Sequence, residues 1–398
     1  MSGPRSRKQP RPAGPGVSTL LAADWRTGET FELAFQADRL VGQAPKRGRT
    51  GLTFGPGFFD LQCNGYAGID FNGPTTSPEQ IAAGIRAMWR HGCTHVLPTL
   101  VTQTPERLEL LFRNLVAALK LDERVAAAVP GFHLEGPFIS PEDGARGAHA
   151  LHAVCPVSLP LWRRCQRAAE SRIRLLTLAP EVKGAIPFIR RLRVEGVLPA
   201  IGHTMATSAQ VHAAAEAGAI MTTHLGNGCP QMMHRHHNPV MAQLGEDRLA
   251  ASLITDGIHL PPEIVRSYYR AKEPSRSVVV TDAMSAAGAP PGRYPLSDLL
   301  LEVGADRVVR QPGSPNFAGS ALTMDDAVAG LKAMAGISWA NAWEAGSLRP
   351  WELMRRADPD RVAPRRAGTF VVARLSAAKL EVVATVANRR VLWQRDSD

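Results

Sequence analysis

The chain has 398 residues, of which 44% are hydrophobic and 21% are charged, as in an ordinary globular protein with a large core. This length suits a barrel of about 250 residues with a smaller unit attached to it. The formal net charge of +10 is compatible with nucleic acid, a membrane surface or a small anion as partner. Scattered basic residues, only 6% aromatic residues and no apolar run of about 18 residues argue against the first two.

The two ends of the chain differ from its middle. Residues 1–16 contain four basic side chains among Pro and Gly, which predicts a disordered basic tail. In residues 17–53 and 367–398, apolar and polar residues alternate as they do in half-buried strands. We expect these two segments to pair in one small β-sandwich domain that encloses residues 54–366. The five cysteines are odd in number and form no C-x-x-C pair, which is typical of reduced thiols in a cytoplasmic protein.

Eight apolar runs alternate with segments of helical periodicity between these ends. In chain order the runs are FGPGFFDLQ, THVLPTLV, AAAVPGFHL, RLLTLA, VLPAIG, AIMTT, LAASLIT and SVVVT. Runs that are apolar almost throughout are typical of parallel strands covered on both faces. They predict an α/β fold with a closed (β/α)8 TIM-like barrel. A doubly wound open sheet would show the same alternation, but its glycine-rich nucleotide motifs are absent.

Polar residues follow several of these runs at the carboxyl ends of the predicted strands. Glu135 ends the third run, His203 and His224 follow the fifth and sixth, and Asp282 follows the eighth. In a barrel these ends meet at one mouth and carry the chemistry. Two histidines and one carboxylate form a normal set of zinc ligands, and a further carboxylate can move the proton of an activated water. The pattern predicts a metal-dependent hydrolase.

Each of these residues also has a structural interpretation. A histidine at a strand end is more often hydrogen-bonded to its surroundings than bound to a metal, and Glu135 or Asp282 alone could cap a helix. Four polar residues at the same relative place in four strand units are harder to explain in this way. We therefore favour the metal site for the set.

Six motifs carry a resemblance to a known family over about residues 54–330. They are PGFFDLQCNGYAGIDFN, GFHLEGPFISPEDGARGAH, IGHTMATSAQVHAAAEAGAIMTTHLGN, ITDGIHLPPE, VVVTDAMSAAG and FAGSALTMDDAV. As a set and in this order, they resemble the motifs of N-acetylglucosamine-6-phosphate deacetylases in the amidohydrolase superfamily. The resemblance implies a barrel of the amidohydrolase type.

The resemblance also implies roles for individual residues. Glu135, His203 and His224 match the family's metal ligands, and Asp282 matches its catalytic acid and base. The implied cofactor is one divalent ion, with zinc preferred and iron, manganese or cobalt as alternatives. Two further matches are histidines that contact the substrate in the family, and these are His149 and His259.

The first strand bears on the number of metal ions. Many amidohydrolases carry H-x-H there, whereas this chain has Gln62 and Asn64. Amide side chains are poor zinc ligands beside imidazole and carboxylate, which favours a mononuclear site. Cys63 lies between them and points the other way along the strand, so we expect its thiol in the core.

The loop after His224 departs from the family, because HLGNGCPQMMHRHHNP replaces a sequence like HLFNAM. Asn227 is retained, Gly228 replaces a small Ala, and Arg235 falls where the family has an Arg that binds the sugar phosphate of the neighbouring subunit. The resemblance thus implies that Asn227, Gly228 and Arg235 bind substrate and that the protein is a homodimer. The unusual histidines around Arg235 fit either phosphate binding or a solvated basic loop, and they are His234, His236 and His237.

These observations predict a cytoplasmic hydrolase that removes the acetyl group from N-acetylglucosamine-6-phosphate in amino-sugar breakdown. Its partner is a small amino-sugar phosphate, with neither nucleic acid nor a membrane involved. One alternative keeps the site and changes the substrate to another N-acetyl amino sugar or an N-acyl amino acid. Another alternative is a non-catalytic sensor of sugar phosphates, although binding alone would not need Asp282.

Overall fold

The structure is a computed structural model that describes residues 16–312, 317–357 and 368–396. The predicted disordered tail lies outside the described residues except for Gly16. The strands in chain order are β1 (Val17–Asp24), β2 (Thr30–Gln36), β3 (Arg39–Pro45), β4 (Leu52–Pro56), β5 (Phe58–Cys63), β6 (Gly65–Tyr66), β7 (Ile69–Asp70), β8 (Cys93–Leu100), β9 (Phe132–Glu135), β10 (Ile173–Leu178), β11 (Leu198–Ile201), β12 (Met221–Thr222), β13 (Ala250–Leu253), β14 (Ser277–Val279), β15 (Gly292–Leu296), β16 (Leu299–Val303), β17 (Val309–Arg310), β18 (Phe370–Leu375), β19 (Leu380–Ala387) and β20 (Arg390–Gln394).

Helices connect most of the central strands. In chain order they are α1 (Pro78–Ala87), α2 (Pro105–Leu121), α3 (Glu123–Ala128), α4 (Leu159–Ala168), α5 (Ala185–Val194), α6 (Ser208–Ala217), α7 (Pro239–Leu244), α8 (Pro262–Lys272), α9 (Met324–Ala335), α10 (Trp339–Ala345) and α11 (Leu348–Ala357). None of these helices combines the length and the apolar character that a membrane span requires.

The central strands form an eight-stranded parallel sheet in the order β14-β13-β12-β11-β10-β9-β8-β5. A parallel bridge between Cys63 and Ala283 joins its two outer strands, so the sheet curls into a nearly closed barrel. Each of the eight strands overlaps one of the eight predicted apolar runs, although the first run begins in β4 and the third begins in α3, and the predicted barrel fold is confirmed. Because the strands are parallel, all their carboxyl ends lie at one mouth.

Strands from both ends of the chain form a second sheet, in the order β1-β2-β3-β20-β19-β18-β4, that closes on itself. Its neighbouring strands pair antiparallel except for β1 with β4. The alternation seen in the sequence places Leu33, Phe54 and Val372 in its own small core. Strand β4 crosses the expected limit at residue 53, and the division into 17–53 with 367–398 and 54–366 stays a prediction.

The crossover between His203 and His224 shows how the sequence builds one unit of the barrel. Thr207 caps α6 by accepting a hydrogen bond from the backbone N–H of Gln210, whose side chain accepts one from the Thr207 N–H in return. The buried face of this helix consists of small residues and Val211, which lets the helix lie close to the sheet. Strands β11 and β12 therefore run side by side, and the residues that follow them meet at the mouth.

Trp343 connects the two sheets. Its indole is fully buried, Nε1 donates a hydrogen bond to the Pro56 carbonyl at 2.8 Å, and the ring packs against Phe58 at 5.3 Å and Trp25 at 6.4 Å between centroids. Pro56 and Trp25 adjoin the small sheet, whereas Phe58 begins the barrel. One side chain thus fills the junction between both units.

We expect Trp343→Ala to destabilise the protein by about 3–5 kcal/mol, because it leaves a large cavity and an unpaired Pro56 carbonyl. Denaturant unfolding followed by circular dichroism measures the change. Trp339→Ala is the matched control, since Trp339 lies on the same helix and is only half-buried. Equal losses for the two variants would show that Trp343 has no special role at the junction.

Candidate active site at the barrel mouth

Three of the four predicted strand-end residues have a left-handed backbone. The φ angles are +50° at His203, +33° at His224 and +48° at Asp282, which cost non-glycine residues about 1–3 kcal/mol each. Hydrogen bonds hold two of these turns in place: the His224 N–H donates to Ser252 Oγ at 2.8 Å, and the Asp282 N–H donates to the Gln62 carbonyl at 3.0 Å. The strained backbone turns each side chain into the mouth, as is common at active sites.

Glu135, His203 and His224 converge on one buried point. Glu135 Oε1 lies 2.9 Å from His224 Nε2 and 3.2 Å from His203 Nε2, and the two nitrogens are 3.1 Å apart. Burial raises the pKa of Glu135, but hydrogen bonds and charges from the two histidines outweigh it and hold that pKa well below its usual range. Glu135 is therefore an anion inside the protein.

The chemistry of these atoms fits a metal ion. His203 Nδ1 donates a hydrogen bond to the Ala145 carbonyl at 2.9 Å, which leaves Nε2 as the ring atom that can bind a metal. His224 Nε2 also faces this carboxylate, so three atoms of types that bind metals point at one another. Two imidazole nitrogens and one carboxylate oxygen form a set of donors that a divalent cation takes together.

His149 lies beside this cluster but differs from it in protonation. Its Nδ1 accepts a hydrogen bond from the Thr102 backbone N–H at 3.3 Å and lies 2.8 Å from Thr102 Oγ1. Burial lowers the pKa of His149 to about 3, so the ring is neutral and its one proton is on Nε2. By distance alone Glu135, His149 and His203 could hold a metal, since their ligand atoms lie within 4.8 Å of one another. A protonated Nε2 is a hydrogen-bond donor, however, and it lies 3.2 Å from His203 Nε2.

Asp282 is held by the two amides of the first barrel strand. Its Oδ1 accepts hydrogen bonds from Asn64 Nδ2 at 2.8 Å and from Gln62 Nε2 at 3.0 Å. Gln62 Nε2 also lies 2.9 Å from Glu135 Oε1, so one amide bridges both carboxylates. Burial and the Glu135 charge raise the pKa of Asp282 to about 6, and this group can take up and release a proton near neutral pH.

A cavity of about 310 Å³ opens above these groups. Four of the predicted substrate residues line it, and they are His149, Asn227, Gly228 and His259. His259 Nδ1 donates to Asp256 Oδ2 at 2.7 Å, which fixes the ring with Nε2 available to the cavity. A Cβ atom at Gly228, where φ is +59°, would lie 2.8 Å from His203 Nδ1. A glycine at this position therefore lets the loop lie directly against His203.

Arg235 is the one predicted substrate residue that the structure places elsewhere. Residues 231–237 are exposed, and Arg235 does not line the cavity of its own chain. His234 Nδ1 accepts hydrogen bonds from the backbone N–H groups of His236 and His237 at 3.2 and 3.0 Å. Among the described residues that line the cavity there is no Lys or Arg.

Some residues of the site were missed by the sequence analysis. Thr102 fixes the proton of His149, and Asp256 orients His259. His133 is buried beneath Glu135 and lies 2.8 Å from Thr177 Oγ1 through Nε2. His133 lies two residues before Glu135 on the same strand. Alternate residues of a strand share a face, so this spacing could have predicted that His133 belongs to the site.

No family model matches the chain. An N-acetylglucosamine-6-phosphate deacetylase from Danio rerio is 33% identical over 312 residues, which are 75% of this chain and 74% of that protein. An N-acetylgalactosamine-6-phosphate deacetylase from Escherichia coli O157:H7 is 32% identical over 300 residues, 75% of this chain and 77% of that protein. A mutant N-acetyl-D-glucosamine-6-phosphate deacetylase from Mycobacterium smegmatis, solved in complex with N-acetyl-D-glucosamine-6-phosphate, superposes with a TM-score of 0.79 and 29% identity over 94% of this chain and 99% of that chain.

The assignment of protons predicts which histidine is needed for metal. His203→Asn should lose most of the bound ion, about one per chain in the wild type, because it removes a lone-pair donor. His149→Asn should keep its ion, since the wild-type ring offers a proton at that side. Elemental analysis of both purified variants makes the comparison. Loss of metal from His149→Asn with retention by His203→Asn would reverse our assignment.

Proposed function

The chain belongs to the N-acetylglucosamine-6-phosphate deacetylase family, and we propose on that basis that it hydrolyses the acetamide of N-acetylglucosamine-6-phosphate. The observation that carries the proposal is the placement of Asp282 beside the cluster of Glu135, His203 and His224, with Gln62 hydrogen-bonded to both carboxylates. We also propose a cytoplasmic location, which the five free thiols support.

Glu135, His203 and His224 are the proposed metal ligands. Their two imidazoles and one carboxylate suit zinc, and iron, manganese or cobalt can take the same set. Such an ion would supply Lewis-acid activation of a water molecule and of the substrate carbonyl. Gln62 and Asn64 donate their amide hydrogens to carboxylates. Amide oxygens are weaker zinc ligands than imidazole and carboxylate, so we do not assign a second ion to them.

Asp282 moves the proton in the proposed reaction. Its carboxylate accepts a proton from the water as the water oxygen bonds to the acetamide carbon. The proton then passes to the amide nitrogen as the carbon–nitrogen bond breaks, which gives acetate and the free amino sugar phosphate. His149 donates its Nε2 hydrogen to the carbonyl oxygen as negative charge develops there. The raised pKa of Asp282 suits both of its roles.

The phosphate end of the substrate is assigned to the loop after β12. Asn227 and Gly228 line the cavity, and His259 faces it from the next strand unit. We propose that Arg235 reaches the cavity of a second subunit in a homodimer. Its exposed position supports this, as does Met232, whose side chain is 90% exposed on the same loop and offers an apolar surface to a partner.

A second candidate substrate is the galactose-series isomer, N-acetylgalactosamine-6-phosphate. The relative from Escherichia coli O157:H7 is named for that sugar and is 32% identical to this chain. Both substrates place the same acetamide and the same phosphate in the site. The proposed roles of Glu135, Asp282 and Arg235 are unchanged in this alternative.

We expect acetate release to be fastest from N-acetylglucosamine-6-phosphate in a panel that includes its galactose-series isomer and both unphosphorylated sugars. Arg235→Ala should lower kcat/KM for the phosphorylated sugars by about 10- to 100-fold, the usual effect of losing a charged hydrogen bond. Hydrolysis of the unphosphorylated sugars should hardly change.

The same panel contains the outcomes that contradict the proposal. No acetate from any substrate would remove the deacetylase assignment. Equal losses in Arg235→Ala on phosphorylated and unphosphorylated sugars would mean that Arg235 shapes the loop and does not bind phosphate. Arg270→Ala is the matched control, because Arg270 is an exposed arginine on α8 that does not line the cavity.

Asp282→Asn should lower kcat by about 100-fold or more while metal content stays near that of the wild type, because the amide keeps the shape but cannot accept a proton. In the wild type, kcat/KM should fall toward acid pH. The midpoint should lie at or below about 6, since Asp282 loses its base form on protonation and a nearby cation lowers its pKa. Full activity in Asp282→Asn would exclude the mechanism and leave Asp282 as a structural residue.

A further inference from the structure

A turn between β15 and β16 forms part of the cavity wall. This hairpin turn consists of Leu296, Ser297, Asp298 and Leu299, and all four residues line the cavity. It belongs to the small antiparallel sheet of β15, β16 and β17, which is inserted after the last barrel strand. No part of the proposed chemistry uses these residues.

Three residues outside the hairpin hold the hairpin turn in place, one from β7, one from the loop between β8 and α2, and one from α2. The Ser297 N–H donates to Asp70 Oδ2 at 2.6 Å, and the buried side chain of Gln103 donates to Ser297 Oγ. Arg107 Nη1 donates to both carboxylate oxygens of Asp298, at 2.7 and 3.0 Å. The turn is thus docked on the loops that follow β5 and β8, and its backbone cannot adjust freely.

The position of the hairpin turn indicates which part of a bound sugar lies against it. In the barrel order, β8 lies four strands from β12, which is the opposite side of an eight-stranded barrel. The loop after β12 carries the proposed phosphate site, so the turn faces that site across the mouth. In a pyranose ring, the carbon that bears the acetamide is opposite the carbon that bears the phosphorylated arm. The hydroxyl groups next to the acetamide therefore face the turn.

The charge of the hairpin turn fits the same orientation. The Asp298 side chain is 63% exposed and presents a carboxylate that accepts hydrogen bonds from hydroxyl groups but repels a phosphate. Arg107 holds this carboxylate in position and does not itself line the cavity. A sugar bound with its phosphate at the β12 loop and its hydroxyl groups at Asp298 meets a chemically suitable group on each side of the cavity.

We propose that the hairpin turn is the subsite for the ring hydroxyls beside the acetamide, with Asp298 as acceptor and with Asp70 and Arg107 as positioning residues. The inference rests on the proposed function, because it uses the placement of the acetamide and the phosphate. It assigns specificity for the sugar to an insertion outside the eight-stranded barrel.

The test is the kinetics of Asp298→Ala with N-acetylglucosamine-6-phosphate and with its 1-deoxy and 3-deoxy analogues. KM for the full substrate should rise about tenfold with kcat nearly unchanged, as expected when ground-state and transition-state binding are lost equally. The effect should disappear for the analogue that lacks the bound hydroxyl. Arg107→Met should change KM in the same direction. An unchanged KM, or an equal rise for all three substrates, would overturn the proposal.

Glu302→Ala is the matched control, because Glu302 pairs with Arg293 at 2.7 Å on the strands of the same hairpin, away from the turn. Its KM should equal that of the wild type, and a tenfold rise there would trace the effect to hairpin folding and contradict the proposal. Calorimetric binding of glucosamine-6-phosphate separates this inference from the proposed function. A wild type that binds the sugar but releases no acetate refutes the function alone, whereas equal affinity in wild type and Asp298→Ala refutes the subsite alone.

Discussion

One oxygen atom, Oε1 of Glu135, lies within 3.2 Å of nitrogen atoms from His203, His224 and Gln62. A carboxylate buried in this way needs compensating charge, because the protein interior solvates an anion poorly. Four separate strands bring polar groups to this one buried point, and the cation proposed for the cluster would supply that charge.

The surrounding structure gives side chains of the same chemical type different hydrogen bonds and different pKa values. His203 bonds to the Ala145 carbonyl through Nδ1, whereas His149 accepts from the Thr102 N–H through Nδ1, so the two rings present opposite hydrogen-bonding character at Nε2. Likewise Glu135 stays ionised, while the pKa of Asp282 is raised to about 6. Two pairs of like residues thus differ in hydrogen bonding or in pKa, which is what their different proposed roles require.

Much of the barrel could be predicted from the sequence because each parallel strand is an apolar run. The carboxyl ends of these parallel strands all lie at the same mouth. Because Glu135 and Asp282 lie at the ends of such strands, they could be predicted to lie close together although they are distant in the sequence. Loop residues such as Thr102 and the hairpin turn could not be predicted, since their positions depend on contacts between loops and not on periodicity. The place of Arg235 depends on whether a second chain lies against the exposed loop, which no pattern in one sequence determines.

The central claim is that one cation at the Glu135 cluster is required for hydrolysis of the acetamide. The most direct measurement is acetate release from N-acetylglucosamine-6-phosphate by chelator-treated protein during stepwise addition of zinc. Activity should be absent at the start, rise in proportion to added metal and stop rising at about one equivalent per chain. Full activity without metal, or a rise that continues to two equivalents, would contradict the claim.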